Sequence, residues 1–205
     1  MIRKSFLALA GLVILLASCN RTETIEQEAF GLLEKYEVDK KTGAKHGVFE
    51  KFETDGTRIE HAVYVNDQLH GDRTIFYANG SPEIIEHYES DVLTGSYKAF
   101  YQNTQIEIEG KYTEGVMTGI WKRYFENGKL MEEVTFADNL ENGPFVEYHD
   151  NGKLKAEGQY SGRDREQGVL KLYDEKGELY RRMDCNDGIC ITTWLRPGYE
   201  EQVNE

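Results

Sequence analysis

The chain has 205 residues, 30% of them charged, and a net charge of −13 at neutral pH. That balance excludes a broad nucleic-acid surface, which needs a preponderance of cationic side chains against phosphate. Beyond its N-terminus it carries no second long apolar run, and the body of the chain is long enough for one domain.

Arg3 and Lys4 precede an apolar run from Phe6 to Leu16. Eleven residues are too few to span a bilayer, which takes about 20 in a helix. The pattern predicts a secretory leader over residues 1–18. It ends in Leu16-Ala17-Ser18-Cys19, which resembles the bacterial lipobox at all four positions. The resemblance implies cleavage before Cys19 and lipid on its thiol, and so a cell-envelope protein held to a membrane. An ordinary secretory leader followed by a chance cysteine is the alternative. Two or three acyl chains make such anchoring stable, at about 0.8 kcal/mol per buried methylene. Asn20, rather than Asp, follows the cysteine; by resemblance to enterobacterial sorting this favours the outer over the inner membrane. Loss of Arg3 and Lys4 with the leader takes the net charge from −13 to −15. The polar stretch after Cys19 predicts a tether over residues 19–29.

Residues 30–46 predict a degenerate half-unit that caps a repeat array. From Gly47 the chain repeats. Gly47, Gly71, Gly95, Gly119 and Gly143 stand 24 residues apart, and Gly168 comes next at 25. Five residues after each marker the column is aromatic every time: Phe52, Phe76, Phe100, Tyr124, Tyr148 and Tyr173. Eight and nine residues after come Asp55-Gly56, Asn79-Gly80, Asn103-Thr104, Asn127-Gly128, Asn151-Gly152 and Lys176-Gly177. Seventeen after come Tyr64, Tyr88, Tyr112, Phe136, Tyr160 and then Cys185.

Asn-Gly and Asp-Gly between strand-like runs signal a hairpin, with a type I′ turn as the expected geometry. The second arm of the hairpin alternates. Ile106, Ile108, Gly110 and Tyr112 share one face, and Glu107, Glu109 and Lys111 the other, the signature of a half-buried strand. One hairpin cannot bury its apolar face alone, but stacked hairpins can. The fold class expected is all-β: an elongated single-layer array of stacked antiparallel β-hairpins over residues 47–191, about six units of 24 residues. Residues 192–205 leave the pattern as a tail or cap.

The phrase Gly-x-Trp-x-x-Tyr-Phe-x-Asn-Gly-Lys-Leu-x-Glu-Glu, best seen from Gly119 to Phe136, resembles the bacterial variant of the MORN repeat. Gly143–Tyr160 is nearly as good a copy, Gly47–Tyr64 is looser, the third copy has Thr104 for the turn glycine, and the last ends in Cys185. The resemblance covers about 145 residues and implies a scaffold or interaction module rather than an enzyme.

The residues are consistent with that implication. No HExxH, phosphate-binding glycine loop or GxSxG is present, and no nucleophile, base and orienter recur in one column. No residue set points to a cofactor. His46 and His70 are repeat equivalents about 10 Å apart, too far to share a metal. The constant aromatic column is expected to be core, and the acidic column Glu109, Glu133 and Glu157 a solvated surface. A second aromatic set varies between units. Tyr97, Trp121 and Phe145 stand two residues after their markers; Tyr101 and Phe125 stand six after. Alternation places this set on the face opposite the constant column. Buried, it covers the sheet; displayed, Tyr97, Tyr101, Trp121, Phe125 and Phe145 form a ligand-binding row. In Cys185-Asn-Asp-Gly-Ile-Cys190 the turn-prone centre allows a disulfide between Cys185 and Cys190, while the four-residue spacing does not suit a redox CxxC. The expected function is thus a lipid-anchored scaffold with a membrane contact through its lipid and a protein partner. A module that grips polysaccharide through the aromatic row is the alternative.

Overall fold

A computed structural model describes residues 21–162 and 164–199. They form one open antiparallel sheet. Its strands are β1 (Thr22–Ala29), β2 (Leu32–Asp39), β3 (Lys45–Glu53), β4 (Arg58–Val65), β5 (Gln68–Leu69), β6 (Gly71–Phe76), β7 (Pro82–Glu89) and β8 (Val92–Phe100). They continue as β9 (Ile106–Thr113), β10 (Val116–Tyr124), β11 (Leu130–Ala137), β12 (Leu140–Tyr148), β13 (Leu154–Tyr160), β14 (Gly168–Tyr173), β15 (Leu179–Asn186) and β16 (Ile189–Leu195). Each pairs with its chain neighbour, β5 and β6 together filling one position beside β4. The all-β hairpin array expected from the repeat is what forms. At about 4.8 Å per strand it runs on the order of 70 Å from β1 to β16.

The sheet is longer than the repeat. Of the segment expected to be a tether, Thr22–Ala29 is strand β1, paired with β2 from Thr22↔Asp39 to Ala29↔Leu32. Its Thr-Glu-Thr-Ile-Glu-Gln alternation is polar enough to pass for linker, and only pairing to β2 makes it a strand. The β2–β3 connection is tied by Asp39, which is 2% exposed. Its carboxylate accepts from the Arg21 guanidinium and from the Lys41 and Thr42 amides. These bonds hold its pKa down to about 2. Beyond the repeat, part of the expected tail is β16, and a disulfide joins Cys190 to Cys185 on β15.

The two ends of each unit turn differently. At the Asn-Gly end the Phe125 amide donates to the Lys129 carbonyl and the Gly128 amide to the Phe125 carbonyl, both at 2.8 Å. Gly128 has φ +79°, while Asn127 is not in the left-handed region. This is a three-residue loop, a type I turn closed by a left-handed bulge residue, not the expected type I′. Asn127 is selected by another bond: its Oδ1 accepts the Lys129 amide at 3.0 Å. The type I′ turns are at the opposite edge. Asn66-Asp67, Ser90-Asp91, Glu114-Gly115 and Asp138-Asn139 all have both central φ values positive. Several also lock to the previous unit, as when Asp67 Oδ1 accepts the Lys45 amide and Asn139 Oδ1 that of Met117.

The apolar core lies on one face. Val38, Phe49, Ala62, Ala99, Trp121, Val134, Phe145, Ala156 and Cys185 are its buried members among the described residues. Around Trp121 pack Tyr97, Ile108, Tyr112, Met117 and Phe136. Register sets the large residues against small ones. A Cβ on Gly110 would overlap the Trp121 indole, and one on Gly158 would stand 2.8 Å from the Phe145 ring. The constant aromatic column is not this core, contrary to expectation. It lies on the other face, half-buried near the loops, under polar neighbours. The Tyr124 hydroxyl donates to Glu109 at 2.6 Å and that of Tyr173 to Glu157 at 2.7 Å. The Arg58 guanidinium covers the rings of Phe52 and Phe76. At Phe52, Phe76, Tyr124 and Tyr173 the column thus partners a charged side chain. The glutamates are correspondingly bonded rather than merely solvated: Lys171 also reaches Glu157, and Lys122 reaches Glu133 at 3.5 Å.

Candidate interaction site

The variable aromatic set does not form a displayed row. Trp121 is 5% exposed, Phe145 is also buried, and Tyr97 packs against Trp121 with centroids 5.6 Å apart. These rings bury the sheet's own apolar face. Tyr101 and Phe125 sit at the loop edge, and the Tyr101 hydroxyl donates to the Tyr124 carbonyl of the next unit at 2.8 Å. Tyr77 does the same to Phe100, and His149 Nε2 meets the Tyr173 carbonyl. This column cements unit to unit.

Where the core face is incompletely covered, it opens as a groove over Trp121. The groove is about 260 Å³ and is walled by the rings of Tyr97, Tyr112, Trp121 and Phe136, with Met117 at one side. Tyr112 and Phe136 stand edge-on to the indole at 5.2 and 6.0 Å. The Trp121 Nε1–H is buried and has no acceptor among the described residues. Glu132, Glu141, Lys122 and Arg123 line the rim. Burial pushes the Glu141 carboxyl up, reinforced by Glu132, Asp164 and Glu166 and opposed by Arg123. Burial likewise pushes up the Tyr97 and Tyr112 hydroxyls, with Glu86 adding to both.

The same face is finished differently toward the N-terminus. In the first unit Lys45 Nζ lies 4.8 Å from the ring centroids of both Tyr36 and Phe49 and 5.2 Å from that of Tyr64. In the second unit Arg73 takes the ring position and binds Glu60 at 2.6 Å and Glu86 at 3.1 Å. Burial works to lower its pKa, but the Glu60 and Glu86 carboxylates together outweigh burial and raise it. Neither was legible as packing: Lys45 stands in a column of mixed character with Leu69, Leu93, Met117, Glu141 and Glu166, and Arg73 is a cation in an apolar one. The signal was Arg73 itself, the cationic member of an otherwise mostly aromatic column.

The second feature is the last strand. Ile189-Cys-Ile-Thr-Thr-Trp-Leu195 carries no charge, and among the described residues no strand lies beside its outer edge. Ile189 is 72% and Ile191 68% exposed, and Trp194 and Leu195 are exposed as well. The opposite edge strand differs: β1 exposes Glu23, Glu26 and Glu28. Natural sheets guard free edges with charge, as β1 does and β16 does not. The Cys185–Cys190 bond holds β16 in place.

Among the described residues no three His, Cys, Asp or Glu side chains gather to hold a metal. Cys19 and the leader lie outside the described residues.

No curated protein matches the chain. Among solved structures, a mutant of S. aureus TarM in complex with fondaparinux, alpha-GlcNAc-glycerol and UDP matches at 13% identity with a TM-score of 0.34. The match covers 60% of this chain and 21% of that one, so the chain spans about a fifth of its length. A likeness at that level carries no argument. The sequence comparison is more direct. Residues 69–90, 117–138 and 141–161 match the family model described as MORN repeat variant, a repeat of protein- and membrane-interaction modules that is generally non-enzymatic.

Proposed function

We propose that this chain is a lipid-anchored, non-enzymatic scaffold of the cell envelope that recruits a protein partner onto its C-terminal sheet edge. The observation that carries the reading is β16, an uncharged, largely apolar strand that ends the ladder with no other described strand on its outer edge. A partner strand added there gains main-chain hydrogen bonds for affinity and apolar contacts with Ile189 and Ile191 for specificity. The lipid reading rests on Leu16-Ala17-Ser18-Cys19. The disulfide supports an oxidising compartment, as an envelope location requires. Only Asn20 and Arg21 separate Cys19 from β1. Lipid on Cys19 would therefore hold the acidic edge near the membrane and leave β16 at the far edge, on the order of 70 Å away along the sheet. The outer membrane is the destination favoured by Asn20.

Two measurements test this. Cells fed an alkyne-tagged fatty acid label the wild-type chain and not Cys19→Ala; label on both removes the anchor from the account. Ile191→Lys abolishes partner capture while far-UV circular dichroism stays unchanged. Undiminished capture by this variant removes the edge.

A further inference from the structure

We infer that the groove over Trp121 seats the ammonium group of a lysine side chain presented by the partner protein. The inference rests on the scaffold reading above and names a second contact for the same partner. Its warrant is within the chain. Lys45 stands two residues before the marker Gly47 and places its ammonium among Tyr36, Phe49 and Tyr64, with all three centroids within 5.2 Å. Two residues before Gly119 stands Met117. The central cage keeps two of the three repeat-equivalent rings, Trp121 for Phe49 and Phe136 for Tyr64; Ile108 stands at the Tyr36 position, and Tyr97 and Tyr112 are added. It lacks the chain's own lysine. Ring faces attract a cation within about 6 Å of the centroid, and most strongly when the ring is Trp.

Space and charge agree. About 260 Å³ remains beside Met117. That is below the roughly 300–1,000 Å³ of small-molecule pockets and suits one side chain. Of the charged groups at the rim, Lys122 is engaged with Glu133 on the other face. Arg123 is exposed, and its guanidinium covers none of the four rings among the described contacts. Its charge opposes that of Glu141, but Glu132, Glu141, Asp164 and Glu166 outnumber it, so negative charge is in excess. A lipid choline would bring its phosphate toward Glu132 and Glu141, and the like charges disfavour it.

The probe is an acetylated, amidated peptide with one lysine between two glycine pairs, titrated at low salt. A Trp194→Phe background makes Trp121 the one fluorescent indole, since the chain has two tryptophans. The lysine peptide is expected to change Trp121 emission saturably, and its norleucine counterpart to bind at least tenfold more weakly. Met117→Lys is expected to fill the cage from within, as Lys45 does, and abolish binding. If that variant does not fold, Glu132→Gln with Glu141→Gln carries the test, with at least a tenfold loss expected. Equal binding of the two peptides overturns the inference, as does full binding by the folded variant. So does binding of phosphatidylcholine vesicles in place of the lysine peptide, or no saturation below about 10 mM. Loss of the cage with Ile191-dependent capture intact sinks this inference alone. Loss of capture by the edge sinks the scaffold reading.

Discussion

Thr104 is the one residue in the loop column that is not glycine, yet it has φ +70° where Gly80 has +81° and Gly128 +79°. A left-handed residue other than glycine costs roughly 1–2 kcal/mol, and β-branching does not help. Thr104 is exposed, so its side chain offers little packing in return. Its amide still donates to the Tyr101 carbonyl at 2.9 Å, a bond that glycine keeps. Against the relief stands the extra freedom of glycine in the unfolded chain, about 0.4–1 kcal/mol. Thr104→Gly should therefore stabilise by about 0.5–1 kcal/mol. With a urea slope near 2 kcal/mol/M, the midpoint rises by about 0.3–0.5 M. The mirror change is Gly80→Thr, where an added Cβ meets nothing within 4 Å. It should lower the midpoint by a similar amount. Urea denaturation followed by circular dichroism and Trp fluorescence reads both. A fall with Thr104→Gly, or no effect of Gly80→Thr, would refute the assignment of this loop as a type I turn closed by a left-handed residue.

Other outcomes rest on the same register. Gly110→Ala forces a methyl into the Trp121 indole and should cost about 3 kcal/mol, seen as a lower urea midpoint. Arg73→Met leaves Glu60 and Glu86 facing each other and should cost about 2 kcal/mol, less than the 3–5 of a fully buried pair because these side chains keep some solvent contact. Removing both carboxylates as well, with Glu60→Gln and Glu86→Gln, should recover most of that loss. Tyr124 and Tyr173 are pushed up to about 12, by burial first and then by their glutamate partners. Their folded pKa is above the unfolded value near 10, so their contribution is fully present below pH 10 and disappears as pH rises through about 12. Absorbance titration of phenolate should show this late ionisation, and Glu109→Gln should bring Tyr124 down.

What was legible in the sequence was whatever repeats. The 24-residue spacing and the alternation of Ile106, Ile108, Gly110 and Tyr112 led to the hairpin array, because periodicity sets which residues share a face. The roles of the columns were less legible. Constancy at Tyr124 looked like core, but a half-buried ring held under polar neighbours, as Tyr124 and Tyr173 are by Glu109 and Glu157, recurs as regularly as a core ring. Trp121 varies between units because its neighbours vary with it: Gly110 makes room for it, as Gly158 does for Phe145. Such pairing is set by register across strands, which spacing along one strand does not reveal. The Asn-Gly turn was placed correctly but given the wrong geometry, since the left-handed residue in the dipeptide is the glycine alone. Strand β1 was missed because its residues are polar and its order comes from β2.

The most direct test of the scaffold account is site-specific photo-crosslinking in cells. A benzophenone amino acid at Ile191, on the outer strand, is compared with one at Glu114, in the exposed β9–β10 turn inside the array. The account predicts a discrete protein adduct from position 191 and none from position 114. Equal adducts at both positions, or no protein adduct at 191, would contradict it.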